Sequence, residues 1–269
     1  MKLNFIGGGN MASALIGGLL SRGYAREQIQ VVEVLPDARE RLEKNFGVKC
    51  FADVPQISAA GCFILAVKPQ HLRAATLQLA PTLTTELVVS IAAGIRTADL
   101  SRWLNGYKSI VRVMPNTPAL VHCAISALYA LPAVSEQQKS DAEKILSAVG
   151  ETLWLYDEAQ MDAVTAVSGS GPAYVFYFLE ALAEAARELG FDSASASKLA
   201  LVTFTGASKL AAKSDEDFAT LRARVTSKGG TTERGLEIME AAGLKQSIVR
   251  AIRAAAERAK ELGRELGDA

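Results

Sequence analysis

The sequence predicts an α/β chain, with a doubly wound parallel sheet first and an all-α C-terminal domain after it. Three features carry that prediction. Strand-like apolar runs alternate with helix-like stretches from Lys2 to Tyr156. The first run is cut by Gly7, Gly8 and Gly9 and followed at once by a helix-compatible stretch, Met11–Leu20. Past Tyr156 the strand patterns stop and alanine-rich helical patterns take over.

The opening run, Lys2–Ile6, needs glycine after it, because the backbone must turn sharply and leave room above the turn. The spacing is Gly7-x-Gly9-x-x-Ala12, and Glu33 closes the next apolar run, Ile29–Val34. A strand, a glycine turn, a helix and an acidic residue at the second strand end form the Rossmann-type fingerprint for a dinucleotide, whose diphosphate meets free amides at the helix start. Pro36–Asn45 then reads as helix, Cys62–Val67 as strand, His71–Leu79 as helix and Leu87–Ile91 as strand. Thr97–Leu104 is the next helix, followed by strands Ser109–Val113 and Ile125–Ala130, helix Glu136–Val149 and strand Thr152–Tyr156. Repeated alternation implies parallel strands with right-handed crossovers. The unbroken apolarity of Cys62–Val67 fits a strand covered on both faces. Pro172–Leu189 reads as one long helix, capped by Ser170 and stopped by Gly190, and apolar nearly all round in its first half. One small helical domain cannot cover such a surface, so it is expected in a dimer core. Further helices are read over Ala194–Ala212, Glu216–Arg224, Glu233–Ala242 and Lys245–Leu262, and the domains divide as 1–157 and 158–269.

Composition narrows the function. Lys plus Arg and Asp plus Glu are 29 each, and no block of like charge stands out, which points away from nucleic acid. No charged-then-apolar leader precedes the glycine turn, and the longest apolar stretch, near Pro172–Leu179, ends at Glu180. Neither a cleaved signal peptide nor a membrane span is expected. Cys50, Cys62 and Cys123 are odd in number and lack a CxxC pair, so they read as reduced, small core residues of a cytoplasmic protein.

Candidate chemistry gathers at strand ends, where ligands of a doubly wound sheet sit. Ala66, Val67, Lys68 and Pro69 follow one apolar run, and Ala92, Ala93 and Gly94 follow the next with small side chains. Met114-Pro115-Asn116-Thr117-Pro118 follows a third, and Asn116 offers both a donor and an acceptor. Ser168-Gly169-Ser170-Gly171-Pro172 is read as a loop opening the long helix. Ser227-Lys228-Gly229-Gly230-Thr231-Thr232 lies just before another helix, an arrangement suited to a carboxylate. His71 and His122 are the only histidines, no lysine lies between Lys144 and Lys198, and no metal motif is evident. Hydride removal from an alcohol calls for a base tuned near neutrality, whereas a protonated imine already draws hydride. The shortage of bases therefore favours imine reduction.

The motifs Phe5–Gly18, Ala66–Gln70, Ser90–Ile95, Met114–Ala119, Ser168–Tyr174 and Thr226–Glu240 together resemble those of pyrroline-5-carboxylate reductases, the last enzymes of proline biosynthesis. Lys228 departs from the family's usual proline. The resemblance implies reduction of Δ1-pyrroline-5-carboxylate to L-proline by NADPH or NADH without a metal, in homodimers often joined into decamers. It also implies that Gly7, Gly8, Gly9, Asn10 and Met11 hold the diphosphate, and that Ala66–Pro69 and Ala92–Gly94 line the ribose and nicotinamide. Glu33, Asp53, Asn116 and Glu158 are the further candidate cofactor contacts. Ser227, Gly229, Gly230, Thr231 and Thr232 are implied to seat the substrate carboxylate, with the Thr232 hydroxyl serving the ring nitrogen. Glu33 favours a free ribose 2′-hydroxyl, while Arg39 and Arg41 could meet a 2′-phosphate; the balance leans slightly to NADPH. A β-hydroxyacid dehydrogenase would want a lysine early in the long helix, and Ala173–Ala186 has none. A non-catalytic nicotinamide-binding protein would need no carboxylate seat.

Overall fold

The computed structural model describes residues 1–54, 57 and 61–268, the side chain of residue 268 excepted. It divides into two compact units, Met1–Ser170 together with the end of the chain from Ala255, and Gly171–Ala254.

The first unit holds an eight-stranded sheet in the order β3-β2-β1-β4-β5-β6-β7-β8. The strands are β1 (Leu3–Ile6), β2 (Ile29–Val32), β3 (Lys49–Phe51), β4 (Cys62–Leu65), β5 (Leu87–Ser90), β6 (Ile110–Met114), β7 (Ala124–Ala130) and β8 (Gly150–Trp154). Between them run α1 (Asn10–Ser21), α2 (Pro36–Phe46), α3 (Pro69–Leu79), α4 (Thr97–Trp103) and α5 (Glu136–Ser147), with α6 (Gln160–Val164) after the last strand. Side chains alternate across the strands into two cores. Leu3, Phe5 and Ile64 join Leu15, Ile16, Leu19 and Leu146 on one face, against α1 and α5. Ile6, Phe63 and Leu65 join Leu72, Leu79, Leu100 and Trp103 on the other, against α3 and α4. Each fully buried Leu, Ile or Phe contributes about 1.5–3 kcal/mol. This double covering is why Cys62–Leu65 is apolar at every position.

The α/β expectation holds, with two corrections. First, the strands are not all parallel: β7 runs antiparallel to β6, and β8 runs parallel to β7. The connection between β6 and β7 holds only the short turn Thr117–Val121, too short for the crossover that parallel pairing needs. Second, β3 was not expected. It has three residues at the sheet edge, with Lys49 exposed and Cys50 and Phe51 half-buried, so its apolar pattern is too weak to read.

The cysteines divide as well. Cys62 is buried, Cys50 half-buried and Cys123 exposed, so the core reading fails for Cys123, which follows an exposed turn. Burial, aided by Glu43, pushes the Cys50 thiol up to about 11, and burial raises Cys62 further. Both stay protonated at neutral pH.

Helix α5 starts at a reciprocal cap. Ser135 Oγ accepts from the Gln138 amide at 3.2 Å, while Gln138 Oε1 accepts from the Ser135 amide at 3.0 Å. Ser135→Ala is expected to lower unfolding stability by about 1 kcal/mol, measured as a shifted urea midpoint at unchanged slope.

The second unit is helical. It holds α7 (Gly171–Glu188), α8 (Ser193–Ala212), α9 (Phe218–Arg224), α10 (Thr231–Ala241) and the first part of α11 (Leu244–Asp268). Gly190, at φ +98°, ends α7, with the Phe191 amide donating to Ala186 O at 3.1 Å, the Schellman stop. Asp192 and Asp217 cap α8 and α9. Phe178 on α7 and Phe204 on α8 meet with ring centroids 6.3 Å apart. Ala196 and Ala200 are the only buried residues of this unit. Phe176, Tyr177 and Phe218 are 65%, 72% and 81% exposed. A helical unit with so little core and so much open apolar surface is built to be covered by another protein surface. No helix among the described residues is long and apolar enough to cross a membrane.

Candidate active site

The carboxyl ends of β1, β2, β4 and β5 lie level. Ile6 pairs with Val32 and Leu65, and Leu65 pairs with Ser90. The chain order reverses between β1 and β4, which makes their shared end the topological switch point where dinucleotides bind.

Gly7 follows β1 with φ +102°. Its amide donates to Val32 O at 2.8 Å, and a Cβ there would lie 2.7 Å from Ala66 O. A side chain at Gly8 would collide with Leu42. At Gly9, by contrast, a Cβ would meet nothing within 4 Å, so the space above it is open. Gly9 caps α1 without a side-chain bond, and no acidic residue lies in the first turn. The positive helix end is thus free for an anion, as a diphosphate requires. Asn10 and Met11 begin α1, exposed and half-buried.

Glu33 faces this turn. Its Oε2 accepts from the Gly8 amide at 2.9 Å and its Oε1 from the Leu35 amide at 3.0 Å. Arg39 Nη1 donates to the carbonyls of Glu33 and Val34 at 2.7 and 3.0 Å, and Arg41 is exposed. Asp53 is exposed just beyond β3. Ala66 donates to Ile6 O at 2.8 Å, which ties the Ala66–Pro69 segment to the glycine turn. Val67 is half-buried, Lys68 is exposed and Pro69 opens α3. After β5, Ala92 and Gly94 are buried and Ala93 half-buried, with Gly94 at φ +79°.

Two other candidates hold the frame together. Asn116 Oδ1 accepts from the Ile125 amide at 3.1 Å, and Nδ2 donates to Ser168 O at 3.2 Å. Glu158 Oε1 accepts from the Thr97 amide at 2.7 Å and from Arg112 Nη1 at 2.9 Å, and Oε2 accepts from Thr97 Oγ1 at 2.6 Å. The Arg112 and Glu158 side chains are 5% and 21% exposed. Thr97 and Arg112 were not anticipated, although a charged residue inside the apolar run of β6 was a visible signal. The Ser168–Pro172 segment is not a loop: Thr165–Gly169 forms a π-helical turn leading into α7, with the Ser170 amide donating to Thr165 O at 2.8 Å. His71 and His122 are both exposed. Among the described residues no cluster of His, Cys, Asp or Glu could hold a metal.

In the second unit, Gly230 caps α10 with no side-chain bond, and its amide donates to Ser227 O at 3.0 Å. Gly229 adopts φ +72°, and its amide donates to Glu233 Oε2 at 2.5 Å. With that amide taken, the groups facing water are the exposed Ser227, Thr231 and Thr232 and the first turn of α10. Lys228 is exposed beside them.

A glycine turn at the switch point of a doubly wound sheet, followed by a helical unit lacking its own core, defines a dinucleotide-binding oxidoreductase with an associating helical domain. Residues 2–94 match the family described as "NADP oxidoreductase coenzyme F420-dependent", and residues 158–262 match "Pyrroline-5-carboxylate reductase dimerisation". Pyrroline-5-carboxylate reductase from Pseudomonas aeruginosa is 44% identical over 99% of this chain and 98% of its own. The solved pyrroline-5-carboxylate reductase of Coxiella burnetii superposes with a TM-score of 0.92 at 38% identity, covering 97% of this chain and 98% of its own. The Plasmodium falciparum enzyme, solved with NADP bound, gives 0.87 at 29% identity over 98% of both chains. The chain belongs to the pyrroline-5-carboxylate reductase family.

Proposed function

We propose that the chain reduces Δ1-pyrroline-5-carboxylate to L-proline with NADPH or NADH, the last step of proline biosynthesis. The observation that carries this reading is the open, uncapped start of α1 above Gly9, in a chain whose Gly-Gly-Thr-Thr bend opens α10. Residues 1–157 are the dinucleotide-binding domain and 158–269 the substrate-binding and dimerisation domain, of which 158–170 and the end of the chain from Ala255 belong to the first compact unit. Gly9, Asn10 and Met11 meet the diphosphate at the open start of α1, on a turn shaped by Gly7 and Gly8, whose amides are taken by Val32 O and Glu33 Oε2. Ala66, Val67, Lys68 and Pro69 line the ribose, and Ala92, Ala93 and Gly94 line the nicotinamide. Glu33 and Asp53 lie on the adenosine side, and Asn116 and Glu158 keep the neighbouring strand ends in place. The reduced nicotinamide supplies the hydride when bound.

The chain's own residues supply binding, orientation and a proton. Ser227, Gly230, Thr231 and Thr232 receive the substrate carboxylate, with each charge-assisted bond worth about 1.5–3 kcal/mol. Gly229, in the left-handed region, shapes the bend. The Thr232 hydroxyl hydrogen-bonds the ring nitrogen, or passes it a proton that solvent water then restores to the hydroxyl. Rate comes from holding the ring in one orientation, so no histidine base is needed. The protein works in the cytoplasm as a homodimer covered along α7 and α8, with dimers joined into a decamer.

Thr232→Ala is expected to lower kcat about 100-fold or more, general acid help being typically worth about 10²–10⁴-fold, with cofactor affinity near that of the parent. Steady-state rates with pyrroline-5-carboxylate and a fluorescence titration with NADPH check it. Unchanged turnover removes Thr232 from the proton role.

A further inference from the structure

The end of α11 lies against the loop after β5. A Cβ on Gly263 would sit 2.9 Å from Gly94 O, and a Cβ on Gly94 would sit 3.5 Å from Leu266 Cδ1. One turn on, a side chain on Gly267 would meet the Asp99 carboxylate and come within 2.8 Å of Arg96 Nη2. Asp99 is buried in α4. Its Oδ2 accepts from Arg96 Nε at 2.7 Å, and its Oδ1 lies 3.1 Å from Arg102 Nη2. Arg102 Nη2 also donates to Gly267 O at 2.5 Å, neutralising a carbonyl at the negative end of α11. The helix is thus keyed to α4 by an arginine shared between a buried carboxylate and the helix end. It bears on Gly94 through a position with no side chain to spare.

We propose that the last turns of α11 are a positioning element for hydride transfer, in which Gly263, Leu266 and the Asp99–Arg102–Gly267 contact hold Ala92–Gly94 at the height the nicotinamide ring needs. Gly94 is buried with positive φ and its carbonyl faces Gly263, so a side chain at 263 would push that carbonyl away from α11. A shift of about 1 Å at the hydride-donor wall is enough to cost about 100-fold in rate. The inference rests on the reading of Ala92–Gly94 as the nicotinamide wall.

The test is Gly263→Ala in the full-length protein, with Arg102→Gln as a second variant whose side chain is 56% exposed and whose loss leaves Asp99 paired with Arg96. A Cβ at 263 must displace the Gly94 carbonyl, so Tm is expected to fall whatever the role, whereas a merely structural Gly263 would leave the rate of the folded enzyme unchanged. We expect kcat to fall about 10-fold or more in both variants with little change in cofactor KM, and Arg102→Lys to recover part of the loss. Amide exchange at Ala92–Ile95 is expected to accelerate in both. That readout needs no turnover, so failure of the functional reading (a parent protein that does not reduce pyrroline-5-carboxylate) is separable from failure of the positioning claim. Folded variants with parental kcat and parental exchange at Ala92–Ile95 overturn it.

Discussion

Replacing Gly9 by alanine is expected to leave the fold intact and weaken NADPH binding about tenfold or more, equivalent to about 1.4 kcal/mol or more. The residue has φ −71° and ψ −173°, which alanine adopts without strain, and a Cβ there would touch nothing within 4 Å. In a protein with no ligand at this turn the substitution would be silent. It matters only if a diphosphate comes down onto the bare backbone. Gly7→Ala is the contrasting case. At φ +102°, with its Cβ 2.7 Å from Ala66 O, it carries about 1–3 kcal/mol of backbone strain before the clash is relieved, so its Tm is expected to fall along with binding. Calorimetric titration with NADPH, beside thermal melts of both variants, separates the two effects. Parental NADPH affinity in Gly9→Ala would remove the diphosphate from this turn.

Glu158→Ala is expected to destabilise the protein by about 3–5 kcal/mol, the cost of leaving a buried charge without its partner. Its carboxylate is the common acceptor for Thr97 and for Arg112, so one truncation strands a buried guanidinium and uncaps α4. Pairing Glu158→Leu with Arg112→Met is expected to recover much of that loss, because two apolar side chains replace an ion pair at little net cost. Urea unfolding of the single and double variants measures this. If Glu158 acted mainly on the cofactor instead, the single variant would keep its urea midpoint and lose NADPH affinity.

Most of the sheet could be read from the chain because burial on both faces leaves an unmistakable trace. Leu3–Ile6, Cys62–Leu65 and Leu87–Ser90 are apolar at nearly every position and bounded by glycine or polar residues. The glycine turn was legible for the same local reason, since Gly7 must take a φ that other residues avoid. What escaped depends on contacts distant in sequence. Lys49–Phe51 is strand only because β2 offers it an edge, whereas the reversal at β7 was there to be read in a connection too short to cross over. Glu158 meets Thr97 from 61 residues away, and nothing near either residue announces the pair. The π-helical turn at Thr165–Gly169 hid behind glycines that also suit a loop. In the second unit the expectation of a covered helix rested on apolar side chains alone, and Phe176 and Tyr177 do stand open in the single chain. The end of α11 left a faint mark, the four-residue spacing of Gly263 and Gly267, which gains meaning only beside Gly94 and Asp99.

The most direct test of the account follows the hydride itself. The purified protein is given NADPH carrying deuterium at the transferable C4 position and Δ1-pyrroline-5-carboxylate, and the product is read by mass spectrometry and NMR. The account predicts L-proline bearing one deuterium at the former imine carbon, formed in step with NADPH oxidation. NADPH oxidation that does not depend on pyrroline-5-carboxylate, or proline formed without the label, would contradict it.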